Sequence, residues 1–199
     1  LRESEARYRA FFEFSAVGIA QALPADGSIV RVNDALCRIV GYTREELLGK
    51  SFTAITHPED REENFAKFQQ LVCGEIGSFY MEKRYLHKQG HVIWVAVQAS
   101  TVRDHAGRML YSLAMIEDIT ERRRAENKFR GLLESAPEAT VIIDRGGRIT
   151  LVNSQTERLF GYGRSEILGK PVEVLMPPRF YERHAALFTR FFRDPRPRP

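Results

Sequence analysis

Cysteine is scarce: Cys37 and Cys73 are the only two among 199 residues. Two thiols cannot build a disulfide framework, and a reducing compartment is the default setting for such a chain. No run of about 18 apolar residues occurs, so no segment has the length and character of a membrane-spanning helix. A Gly-rich phosphate loop is missing, because the Gly146-Gly147 pair reads as a hairpin turn. No cluster of Cys and His has the spacing of a zinc site. The first residues, Leu1-Arg2-Glu3-Ser4, carry neither an initiator Met nor the apolar core of a signal peptide. With the abrupt Pro195-Arg196-Pro197-Arg198-Pro199 end, this suggests a piece of a longer chain. A basic patch is missing too. The net charge is +4, and apart from Arg122-Arg123-Arg124 and the tail the Lys and Arg residues are scattered. Nucleic-acid binding asks for clustered basic residues with interleaved aromatics, so no such partner is expected. At 43% hydrophobic and 28% charged, the composition is that of an ordinary globular protein.

What the chain has is a repeat. The stretch VNDALCRIVGYTREELLGK, from Val32 to Lys50, recurs as VNSQTERLFGYGRSEILGK, from Val152 to Lys170. The offset is constant, 153 − 33 = 120 and 170 − 50 = 120. A fixed period sets the unit of folding, so one module occurs twice. The second copy ends at Pro199, which corresponds to position 79 of the first. The expectation is therefore a complete first module and a truncated second.

Local patterns give the order of elements. Residues 1–14 place Tyr8, Phe11 and Phe12 at helical spacing. Apolar runs at 18–23 and 29–33, separated by Pro24-Ala25-Asp26-Gly27, predict a hairpin. Asn33 is placed to cap a short helix over 34–41. Thr43 and Glu46 have the spacing of a capping box, and Gly163 replaces that Thr in the second copy. His57-Pro58-Glu59-Asp60 opens a longer helix, with proline first and acids in the first turn. Three strands are expected at 79–87, 92–102 and 109–119. Residues 120–134, charged and without proline, then predict a linking helix, whose 3-4 stripe of Ile119, Phe129 and Leu133 makes a modest coiled-coil seam. The fold class is α+β: a five-stranded antiparallel sheet with helices on one face. The domain expectation is a flanking helix (1–14), a first module (15–120), a linker helix (121–134) and the first half of a second module (135–199).

The order of elements and these words resemble the PAS (PAS/PAC, S-box) family of sensory and interaction modules. His57-Pro58-Glu59-Asp60 is similar to the family's entry into its long helix. The segment EKRYLHKQGHVIWVAVQASTVRDHAGRMLYSLAMIEDITERRRAE is similar to its C-terminal half, ending in the signature Asp118-Ile119-Thr120. The resemblance implies a bacterial cytoplasmic sensor module, upstream of a histidine kinase or diguanylate cyclase in the same parent chain. The parent is then expected to be the enzyme and this stretch not. A homodimer is expected, with an unidentified small ligand as a further partner. The leading alternative is a ligand-free scaffold for dimerisation, and a second is haem-based gas sensing by the second module.

Cofactor expectations follow from individual positions. Light-sensing relatives carry a reactive Cys where this chain has Phe52, and a flavin-bonding Gln where it has Ile116, so no flavin is expected. His184 matches, in its spacing after Leu175-Met176-Pro177, the haem ligand of oxygen-sensing relatives. The first module has Asn64 at that place (184 − 120 = 64), and a surface or capping role is the expectation for His184, with no haem and no metal. The expected pocket lining is Val32, Leu36, Ile39, Phe52, Phe65, Phe68, Met81, Tyr85, Ile93, Val95, Val97 and Ile116. In the strand at 92–102, alternation puts Ile93, Val95, Val97 and Ala99 inside and Trp94, Gln98 and Ser100 outside. An interface is therefore expected at Tyr8, Phe12, Trp94, Tyr111, Leu113 and Met115, where the N-terminal helix, a second subunit or both cover the outer face. Asp118, Ile119 and Thr120 are expected to couple sheet to helix.

Overall fold

The computed structural model describes residues 2–184 and 187, with side chains from Arg7 onward except Tyr8. It falls into two compact units, Leu1–Arg124 and Ala125–Pro199. The first unit opens with helix α1 (Arg2–Phe14) and the hairpin β1 (Gly18–Ala22) and β2 (Ile29–Val32). Helices α2 (Asp34–Val40), α3 (Arg44–Leu47) and α4 (Arg61–Cys73) follow, with a 3-10 turn at Pro58–Asp60 leading into α4. Strands β3 (Ser78–Leu86), β4 (Val92–Arg103) and β5 (Met109–Asp118) complete the sheet. The strand order is β2-β1-β5-β4-β3, antiparallel throughout, which is the five-stranded α+β arrangement expected from the sequence. Helix α5 (Thr120–Ser135) leaves β5 after one residue.

The caps are where the sequence places them. Asn33 is fully buried, and its side chain ties three segments together. Its Oδ1 accepts from the Ile19 amide at 2.8 Å and the Leu36 amide at 3.0 Å. Its Nδ2 donates to the carbonyls of Phe12 at 2.9 Å and Val17 at 3.0 Å. All four hydrogen-bonding positions of the amide are filled. Thr43 and Glu46 form the reciprocal capping box, at 3.3 and 2.9 Å. At the end of α2, Gly41 adopts φ +74°, the left-handed conformation that favours glycine, and a Cβ there would also displace the His87 ring.

The second unit repeats this construction. Strands β6 (Val141–Ile143) and β7 (Ile149–Val152) form a hairpin, followed by α6 (Ser154–Phe160) and α7 (Arg164–Ile167). Asn153 repeats the bonds of Asn33: it accepts from Thr140 and Thr156 amides and donates to the Leu133 and Glu138 carbonyls. Gly163 keeps one arm of the capping box through Glu166, having lost the hydroxyl. The unit's core is small. Among the described residues, Ile149, Val152 and Ile167 are its buried hydrophobics, while Leu159, Phe160 and Leu168 are exposed. Leu187, Phe188, Phe191 and Phe192 are spaced in the sequence as an apolar helix face over 181–192, a stretch of which 181–184 and 187 are described.

The core of the first unit sits between the helices and the inner sheet face. Alternation along β4 is as expected: Ile93, Val95, Val97 and Ala99 are buried, while Gln98 is exposed on the other face. No helix among the described residues is long and apolar enough to cross a membrane.

Candidate functional site: a buried cavity and the joint beside it

The inner sheet face does not close completely on the helices. A cavity of about 40 Å³ remains, against the roughly 10–15 Å³ that one water needs. Its floor is Ala20, Ala22, Ile29, Phe79, Lys83, Tyr85, Val97, Ala99, Ser112, Ala114 and Ile116, and its roof is Leu36, Phe52, Ile55, Asn64 and Phe68. Small residues explain the gap. At the register positions Ala20↔Ala114↔Ala99 three strands each present a methyl group to the core, leaving room that Leu or Val would fill.

Six of the expected lining residues border this cavity: Leu36, Phe52, Phe68, Tyr85, Val97 and Ile116. The others are placed differently. Val32, Met81, Ile93 and Val95 are buried in the surrounding core, and Ile39 packs against it half-buried, so these five support the cavity without lining it. Phe65 is a correction. It lies one residue off the inward stripe of α4 and, half-buried, borders a surface groove with Pro24 and Ala25. The Phe52 and Phe68 rings meet edge to face, with their centres 4.9 Å apart.

The residue that the sequence reading missed is Lys83. It is 2% exposed and lines the cavity. It donates to Asn64 Oδ1 and, at 3.5 Å, to Thr56 Oγ1. The rings of Tyr85 and Phe52 lie 4.6 and 5.5 Å from the ammonium, within cation–π range. Asn64 is itself 2% exposed and directs its Nδ2 to the Met81 sulfur at 3.5 Å. Burial pushes the Lys83 amine down from 10.5 to about 7, with the Asp60 carboxylate opposing through space. The signal was present in the sequence: Lys83 stands between Met81 and Tyr85 at period two, on the strand face assigned to the interior.

On the opposite face of the same strand, Glu82 and Arg84 hold the start of α5. Glu82 pairs with Arg122 at 2.7 Å and with Arg123. Arg84 and Arg123 place their guanidinium carbons 5.7 and 4.2 Å from the centre of the Trp94 ring. The Trp94 amide donates to Thr120 Oγ1 at 3.0 Å, and its carbonyl accepts from the Ile119 amide at 2.9 Å. Asp118 Oδ1 accepts from the Thr120 amide at 2.8 Å, and Ile119 is 2% exposed. Of the three residues expected to couple sheet to helix, Ile119 and Thr120 are thus bound to the backbone of Trp94, and Asp118 holds Thr120 in turn.

The interface set is not one surface. Phe12 is a correction: it is 1% exposed and packed within its own chain, with the Arg31 guanidinium carbon 4.3 Å from its ring centre. The reason is that α1 docks at the β2 edge through Asn33 and a Glu13–Arg44 pair at 2.8 Å. Trp94 is half-buried beneath two arginines, three strand positions from β2. Tyr111 and Leu113 are half-buried and Met115 is exposed. The Tyr8 side chain lies outside the described residues.

In the second unit, His184 is half-buried with its Nδ1 3.1 Å from Glu173 Oε1. Among the described residues no cluster of His, Cys, Asp and Glu is grouped to hold a metal ion.

Two stretches of the chain, 29–116 and 127–196, each match the PAS fold family. Among curated proteins, the probable diguanylate cyclase DgcE of Escherichia coli is 40% identical over 134 residues, which are 67% of this chain and 12% of that protein. The sensor histidine kinase TmoS of Ectopseudomonas mendocina is 31% identical over 66% of this chain and 14% of its own length. The chain thus spans a small part of such relatives. Among solved structures, the PAS domain of a Colwellia psychrerythraea protein superposes with TM-score 0.55 at 25% identity, covering 60% of this chain and 99% of that one. The PAS domain of an HTR-like protein from Haloarcula marismortui gives 0.50 at 28%, covering 59% and 93%.

Proposed function

The chain belongs to the PAS family, and on that premise we propose that its first unit senses a small ligand held in the cavity around Lys83. Occupancy is passed through the Asp118–Thr120 joint to α5, and from there to an effector of the histidine kinase or diguanylate cyclase type in the same parent chain. The observation that carries this reading is the cavity itself. A module serving only as a filled scaffold has no use for three facing alanines and a buried ammonium at its centre.

The route from cavity to joint is short. Ala114 and Ile116 line the cavity on β5, and Asp118 follows two residues later on that strand. On β3, Lys83 faces the cavity while its neighbours Glu82 and Arg84 hold Arg122, Arg123 and Trp94 on the other face. A shift of β3 toward or away from a ligand therefore loads the contacts that fix the first turn of α5. These contacts are exposed ion pairs and one cap, each worth about 1 kcal/mol or less, so a modest binding energy suffices to rearrange them.

Self-association accompanies this reading. Phe129 and Leu132 on α5 are 53% and 62% exposed, an apolar pair three residues apart on a charged helix. That is the pattern of a helix that packs against a second copy. The protein is purified without added ligand and examined by absorbance and native mass spectrometry. A retained small molecule, released on denaturation, is expected. Protein that carries no molecule and gains none from a metabolite extract contradicts the ligand reading and leaves the scaffold.

A further inference from the structure

We propose that the cavity takes a small organic monocarboxylate, its carboxylate paired with Lys83 and its short alkyl part among Ile29, Phe68 and Ile116; this rests on the ligand-sensing reading above.

Lysine is almost never fully buried without a charged partner. Here the ammonium has three N–H donors, and the protein supplies Asn64 Oδ1 and, at the 3.5 Å limit, Thr56 Oγ1. No carboxylate of the described residues lies within ion-pairing distance of Nζ. Asp60 acts on it only through space, and its carboxyl is already engaged by Arg84, whose side chain binds both its oxygens and whose amide donates at 2.7 Å. Tyr85, the other titratable group beside it, is held neutral by burial. With no carboxylate beside it, Lys83 is charged in the fold only at the cost of its lowered pKa, and an anion in the cavity it lines would supply the missing partner.

The lining narrows the class. One cation matches one negative charge, because a dianion would bring a second buried charge with no partner. Ala20, Ile29, Phe68, Val97, Ala99 and Ile116 offer apolar surface, which favours an alkyl group over a bare inorganic ion. Asn64 can turn its amide to donate to the second carboxylate oxygen. The volume of about 40 Å³ corresponds to roughly three water-sized groups, the scale of acetate or propionate.

The test uses the full chain with sodium propionate, and with propionamide and sodium chloride as controls at matched ionic strength. Binding is read as the shift of the unfolding midpoint seen by Trp94 fluorescence, and the Lys83 titration is followed by NMR of its Cε protons. Propionate is expected to raise the midpoint with an affinity at least tenfold above either control, and to move the Lys83 titration to higher pH. Lys83→Met, which keeps the length and the fold, is expected to lose at least tenfold in propionate affinity. Equal propionate binding by wild type and Lys83→Met overturns the inference, as does propionamide binding as tightly as propionate. In both cases a retained molecule in the mass spectrum would still stand, so the ligand reading is judged separately. A midpoint unmoved by propionate also overturns it.

Discussion

Lys83→Met should make the first unit more stable at neutral pH, although it removes a charge and a hydrogen bond. An amine that titrates at 10.5 in water is held at about 7 in the fold. At about 1.4 kcal/mol per pH unit, that burial costs about 5 kcal/mol below pH 7. The sign follows from proton counts. Between pH 7 and 10.5 the unfolded chain binds the Lys83 proton and the folded chain does not, so stability rises with pH across this window. The cost is complete below pH 7, has fallen to about 2 kcal/mol at pH 9, and vanishes above 10.5. Methionine matches the length of lysine and adapts to an irregular space. Its own cost is the loss of a partner for Asn64 Oδ1, about 1–3 kcal/mol. The net expectation is a gain of about 2–4 kcal/mol at pH 6, shrinking by about 3 kcal/mol at pH 9. Urea unfolding followed by Trp94, the chain's single tryptophan, reports this unit. A Lys83→Met protein less stable than wild type at pH 6, or a difference that stays constant from pH 6 to 9, refutes the reasoning.

Asn33→Ala removes four hydrogen bonds, three of them buried, and is expected to cost about 3 kcal/mol or more in the same unfolding assay, since each orphaned backbone group carries its own penalty. Asp118→Ala and Thr120→Ala should each cost only about 1 kcal/mol, yet speed amide exchange in the first turn of α5; unchanged exchange there would remove the joint from the account. In the second unit, where Ile149, Val152 and Ile167 are the buried hydrophobics among the described residues, amides of β6 and β7 are expected to exchange orders of magnitude faster than those of β4 and β5. Equal protection in the two hairpins would contradict that.

The fold was legible because its signals are local and repeated. Asn33, Thr43 and Glu46 specify caps within a few residues of themselves, and the 120-residue offset repeats Asn33 as Asn153 and Glu46 as Glu166. The site was legible in part. Alternation placed Val97, Tyr85 and Ile116 on the inner face, yet it does not say which inner residues meet a void, because that depends on three alanines meeting across strands far apart in sequence. Lys83 was missed because its charge argues for solvent even where its strand position argues for the core. Phe12 was placed at an interface because an apolar position on a terminal helix does not reveal which surface covers it. Its cover is the hairpin edge, through a bond to Asn33 that spans 21 residues.

The measurement closest to the central claim is amide exchange over the full chain with and without propionate. Added protection in β3 and β5 reports that the cavity is occupied. The account predicts that the amides of Thr120 to Arg124 change their protection together with it, and that Lys83→Met abolishes both effects. Protection that rises along β3 and β5 while the first turn of α5 exchanges as before would show a cavity that binds and does not signal.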